Sequence, residues 1–98
     1  MNLEKTRNGS SLLVCVEGKI DTVTAPDFEA GVVPELDGVT ELTVDFSKVT
    51  YISSAGLRVL LSLQKKMNNQ GSMVIKGVNE TVEEIFEVTG FSEILTIE

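Results

Sequence analysis

The chain has 98 residues, room for one domain over residues 1–98 and one hydrophobic core. Hydrophobic residues make up 42% of it and charged residues 23%, the balance of a folded globular chain and not of a disordered one. A net charge of −7 repels phosphate backbones, so it argues against nucleic acid and for a basic or mixed patch on a protein partner.

The opening Met1-Asn2-Leu3-Glu4-Lys5 holds no apolar signal core and no later stretch is long enough to span a bilayer, so the cytoplasm is the expected location, with no membrane contact. Leu3–Arg7 and Ser11–Ile20 read as strands. Asn8-Gly9 between them signals an antiparallel hairpin through a type I′ turn. The single cysteine, Cys15, cannot form an internal disulfide and reads, in the apolar run Leu12–Val16, as a small core residue.

Thr24-Ala25-Pro26-Asp27 opens a helix, with Thr24 as cap and Asp27 at the capping-box position. Phe28, Val32 and Leu36 share its buried face, Pro34 should kink or shorten it, and Asp37-Gly38 ends it. Glu41–Phe46 alternates as a strand, Leu42, Val44 and Phe46 inward. A second helix runs from about Ser54 to Asn69, one face marked by Leu57, Leu60, Leu61 and Gln64 and widened by Val59 and Leu63. Lys65 and Lys66 suit its carboxyl end, and Gly71 follows as a stop. Ser72–Lys76 is a strand, Asn79 caps a third helix carrying Val82, Ile85 and Phe86, Gly90 ends it, and Ile94–Ile97 is a short last strand. The order β-β-α-β-α-β-α-β predicts an α/β fold: a mixed, mostly parallel sheet with one antiparallel edge strand, packed against three helices.

In such a sheet, sites gather beyond the carboxyl ends of the parallel strands. Two segments reach that rim: Gly18–Thr22 and Tyr51–Leu57. Asp21 and Ser54 should emerge on the same side. Ser53-Ser54-Ala55-Gly56 opens a helix, where free amides and the positive end of the dipole favour an anion. A serine there is first of all a cap, and either one can fill that role. Two in succession leave one hydroxyl spare. Gly56 in the first turn implies tight packing or close approach by a partner. Arg58 opposes the dipole, which suggests either a solvated charge or a partner for a phosphate on Ser54, four residues back.

The chain has no histidine, so Ser-His and Cys-His nucleophile pairs are excluded. It has no G-x-S-x-G, no Cys/His cluster for zinc and no Gly-rich phosphate loop. No catalytic residue, metal ligand or cofactor is expected.

The segments Gly18-Lys19-Ile20-Asp21, Val44–Ser47, Tyr51–Leu61 and Val88-Thr89-Gly90-Phe91 resemble the STAS domain, found in bacterial anti-sigma factor antagonists and in sulfate-transporter tails. The likeness runs over nearly the whole chain. It implies a non-enzymatic binding module switched by phosphorylation of one serine, the kinase being the anti-sigma factor itself and a serine phosphatase reversing the step. The family pattern Asp-Ser-(Ser/Thr)-Gly-Leu, aligned on Gly56-Leu57, puts the phosphoserine on Ser54, the Ser/Thr on Ala55 and the aspartate on Ser53. The aspartate of Gly-x-x-Asp falls on Asp21. The implied partner patch is Asp21, Thr22, Ser53, Ala55, Gly56 and Arg58. Two departures stand out. Ser53 removes a carboxylate beside the switch, and the chain stops at Glu98 where many relatives continue into an amphipathic helix, which would leave the sheet less covered and favour a homodimer. The rival reading is a constitutive scaffold of a signalling or lipid-transport complex, with Ser54 only a cap.

Overall fold

The first turn reverses the chain through Gly9 and Ser10, not through Asn8-Gly9. Asn8 pairs with Ser11 across the hairpin, and of the two loop residues only Gly9 has a positive φ, 64°. That is the signature of a type II′ turn, with glycine in its first central position. The flanking strands are β1 (Asn2–Asn8) and β2 (Ser11–Ile20). The computed structural model describes all of residues 1–98.

From β2 the chain alternates: α1 (Ala25–Val32), β3 (Glu41–Ile52), α2 (Ser54–Asn68), β4 (Ser72–Lys76) and α3 (Glu80–Val88). The sheet order is β1-β2-β3-β4, antiparallel at the first pair and parallel thereafter. Pairing aligns Leu12, Leu42 and Met73 in one row and Val14, Val44 and Ile75 in the next, all buried. The alternate rows, Leu13, Thr43 and Val74, then Cys15, Asp45 and Lys76, stay partly or fully exposed. One face of the sheet therefore carries the core. Successive right-handed crossovers, all stepping the same way, bring the helices to that face. Cys15 is half-exposed on the other face and is not the core residue its apolar neighbours suggested, because strand alternation turns it away from Val14 and Val16.

Phe28 and Val32 from α1, Leu60, Leu63 and Met67 from α2, and Val82 and Phe86 from α3 fill the space above the sheet, with Phe86 6.3 Å from Phe46 between ring centres. Gln64 is buried on α2 as its spacing implied, whereas Leu61 is only half-buried. With Pro34 ahead, α1 ends at Val32, four residues short of Leu36, and the chain continues as a short 3₁₀ turn, Val33–Glu35, after which Leu36 is still buried. Lys5 and Arg7 on the edge strand reach over to this segment. The Lys5 ammonium donates to Gly31 C=O at 3.0 Å, and the Arg7 guanidinium to Glu35 and Asp37 C=O at 3.3 and 3.0 Å. Cations thus meet carbonyls left unpaired at a helix end.

The structure departs from expectation in two strands. β3 does not stop at Phe46 but runs to Ile52. Cys15 pairs with Asp45 but Glu17 with Lys48, and Gly18 pairs with Val49 but Lys19 with Tyr51. Each shift inserts one extra β3 residue, so the buried positions step from Phe46 to Val49 to Ile52 and the period of two is lost. The expected last strand, Ile94–Ile97, is reduced to a single parallel bridge between Ile97 and Ile75. A 3₁₀ turn, Phe91–Glu93, entered through Gly90 at φ 80°, uses the chain that an extended strand would need.

Candidate functional site

β2 and β3 end side by side. Ile20 and Ile52 are paired and buried, and the Ser53 N–H donates to Ile20 C=O at 2.8 Å. Asp21, the residue after Ile20, and Ser54, two residues after Ile52, therefore leave the sheet at one rim.

Asp21 organises its own loop. Its Oδ1 accepts from the N–H groups of Val23 and Thr24, both at 3.0 Å, and lies 3.2 Å from the Thr24 hydroxyl. That hydroxyl has one proton and a closer acceptor, Lys19 C=O at 2.8 Å, while it accepts from the Asp21 N–H at 2.8 Å. The Thr24 and Val23 amides and the Lys19 charge hold the Asp21 carboxyl below its ordinary pKa of 3.8, against an opposing desolvation. Thr24 consequently does not cap α1 with its side chain, and the expected capping box with Asp27 is not formed. The hydroxyl is already committed to Lys19 and Asp21.

Across the rim the two serines divide their roles. Ser53 is the N-cap of α2, extended at φ −94° and ψ 176°, its hydroxyl accepting from the Gly56 N–H at 3.5 Å. Ser54 is the first helical residue. It is exposed and its hydroxyl has no hydrogen-bond partner within the fold. The amides of Ser54 and Ala55 are the orphan donors of the first turn.

Gly56 does not belong to the exposed patch. It is buried, and a Cβ there would stand 2.6 Å from Ile20 Cγ2 and 2.7 Å from Ile52 Cγ1. The missing side chain lets α2 start directly against the ends of both strands. Arg58 is exposed and makes no ion pair, since the one salt bridge of the fold is Lys5 with Glu35 at 3.6 Å. It lines, with Ala55 on α2 and Thr22, Pro26 and Glu29 on the α1 side, a shallow depression between the two helices. The structure thus brings Thr22, Ala55 and Arg58 together, keeps Asp21 and Ser53 at the rim with their side chains engaged locally, and takes Gly56 out.

Sequence reasoning missed Val23, which the Asp21 loop holds 80% exposed. Its signal was an apolar residue between two threonines, outside any helical or strand period. No cluster of three or more acidic, histidine or cysteine side chains could hold a metal ion, and no helix is long and apolar enough to cross a membrane.

Residues 2–98 match the family model described as the STAS domain. The chain belongs to the STAS domain family. Among curated STAS relatives, BtrV of Bordetella bronchiseptica, named as a candidate anti-sigma factor antagonist, is 32% identical over 99% of this chain and 85% of its own length. The anti-sigma-B factor antagonist of Staphylococcus aureus is 29% identical over 99% of this chain and 92% of its own. In the Bacillus anti-sigma factor antagonist SpoIIAA the same fold recurs at 13% identity, covering 99% of this chain. The TM-score is 0.74 for the unphosphorylated form, of which 87% is covered, and 0.75 for the phosphorylated form, of which 91% is covered.

Proposed function

We propose that this STAS domain is an anti-sigma factor antagonist, a cytoplasmic binding module that holds an anti-sigma factor kinase when Ser54 is unmodified and lets it go when Ser54 is phosphorylated. The observation that carries this reading is the exposed, unbonded Ser54 hydroxyl at the start of α2, with the capping role already filled by Ser53. The relatives named above supply the class of partner.

The kinase transfers the γ-phosphoryl group of ATP to Ser54 Oγ, releasing ADP and the hydroxyl proton. The product carries close to two negative charges at a helix start, where the Ser54 and Ala55 amides and the dipole stabilise an anion. Arg58, four residues on and free of other partners, is placed to pair with it. The fold is left as it was, while the partner meets charge and bulk where it had a neutral rim of Thr22, Ser53, Ser54 and Ala55 backed by Asp21. A serine phosphatase restores the hydroxyl.

Incubation with the cognate kinase and ATP, read by intact mass, should add one phosphate to the wild type and none to Ser54→Ala. Ser54→Asp should weaken binding of the anti-sigma factor more than a hundredfold, about 3 kcal/mol, and Ser54→Ala should bind throughout. Equal binding by both variants would overturn the switch. Ser53, in place of the carboxylate of the family pattern, favours a second reading, a constitutive scaffold. An unmodified wild type after kinase treatment would select it.

A further inference from the structure

We infer that Val23 is an apolar anchor of the partner interface, inserted into a hydrophobic socket on the anti-sigma factor. The inference rests on the proposed function and adds to it the chemistry of contact.

Exposure alone would not single out Val23. Val88 is 77% exposed, but it lies at the carboxyl end of α3, which leads back toward the amino ends of the strands. Two features of Val23 matter, and the second separates it from Val88. First, its backbone is fixed. Its N–H is held by Asp21 Oδ1, the Thr24 N–H by the same oxygen, the Thr24 hydroxyl by Lys19 C=O, the Asp21 N–H by the Thr24 hydroxyl and the Ala25 N–H by Asp21 C=O at 2.8 Å. Second, it stands beside the switch. Thr22, its neighbour, shares the interhelical depression with Ala55 and Arg58, and Ile20, three residues back, bonds to Ser53.

An exposed apolar side chain on a mobile tip would gain little on binding, because ordering the loop would offset the area buried. On a loop already ordered, that cost is absent. Valine adds little of its own, since branching at Cβ restricts χ1 before any partner arrives. The Asp21 carboxylate, turned onto the Val23 and Thr24 amides, is what keeps that loop ordered.

The test uses calorimetric titration of the full chain with the purified anti-sigma factor kinase that binds the unmodified wild type, comparing Val23→Ser, Val23→Ile and Ser54→Asp. Val23→Ser should weaken binding about tenfold, the loss of one buried valine-sized contact, and make the heat-capacity change of binding less negative. Val23→Ile should bind as the wild type does, and both variants should unfold at the wild-type temperature. If Ser54→Asp loses binding and Val23→Ser does not, the anchor is refuted and the switch stands. If Ser54→Asp binds normally, the switch fails and the anchor with it. A lowered unfolding temperature in Val23→Ser would assign the residue to the fold and also refute the anchor.

Discussion

Gly56 shows how one position serves packing at the expense of local preference. Glycine in a helix is disfavoured by up to about 1 kcal/mol relative to alanine. Here the alternative is worse, because the added methyl group would strike Ile20 and Ile52, whose branched side chains have few other rotamers. Gly56→Ala should destabilise the fold by about 1–3 kcal/mol, read from the urea midpoint, as overpacked cores do. The amino-acid order announced a constraint at Gly56 but left its source open between partner and core. Deciding it required knowing that the tips of two strands lie beneath the same helical turn, a long-range fact that no local spacing contains. Thr24 was misjudged for the same reason at shorter range. It was read as capping a helix, and it bonds instead within a six-residue loop, Lys19–Thr24, whose Asp21 carboxylate is turned onto backbone amides.

At the scale of elements, helices and their stops were legible because period and punctuation agree. Pro34 and Asn79 act where their chemistry requires, whereas Asn69 is the last cap of α2 and Gly71, without a positive φ, is needed because a Cβ there would strike the Thr40 backbone carbonyl. Asn79 does more than its spacing implied. Its Oδ1 accepts from the Val82 N–H at 2.8 Å, the cap, while its Nδ2 donates to Val49 C=O at 2.9 Å. β4 accompanies β3 only as far as Asp45, so Val49 would otherwise show an unpaired carbonyl at the strand edge. Asn79→Asp keeps the acceptor and loses the donor, and Asn79→Ala loses both. Thermal or urea unfolding should rank them wild type, then Asp, then Ala, with the alanine variant down by about 1–2 kcal/mol. The strand that escaped reading was the upper half of β3, since its two bulges replace alternation by steps of three. The final segment escaped for the opposite reason. Ile94, Thr96 and Ile97 have the composition of a strand, but Gly90 and the turn after it leave length for only one bridge.

For the molecule as a whole, acid is the informative perturbation. Asp21 and Asp45 both titrate below 3.8 in the fold, Asp45 chiefly through the Ser47 N–H and hydroxyl and then through Lys76 and Lys48, against some desolvation. A carboxylate whose pKa is lower folded than unfolded adds stability above the unfolded value, and that contribution is lost as pH falls through the folded value. Between neutrality and the isoelectric point near 4.5, the net charge of −7 is titrated away and self-repulsion relaxes. The urea midpoint should therefore hold or rise down to about pH 4.5 and fall below 3.8. The double variant Asp21→Asn, Asp45→Asn should start lower at neutral pH and fall less steeply in acid. A parallel decline in the two proteins would show that other groups govern the acid limb.

The bond from Ser53 to Ile20, with Gly56 wedged above the same isoleucine, makes the two halves of the rim one rigid body. A surface finished before its visitor arrives leaves nothing to be assembled on contact. Encounter then carries no folding step, and among visitors of similar charge its rate varies little. Competitors for the rim would be sorted by how long each one stays.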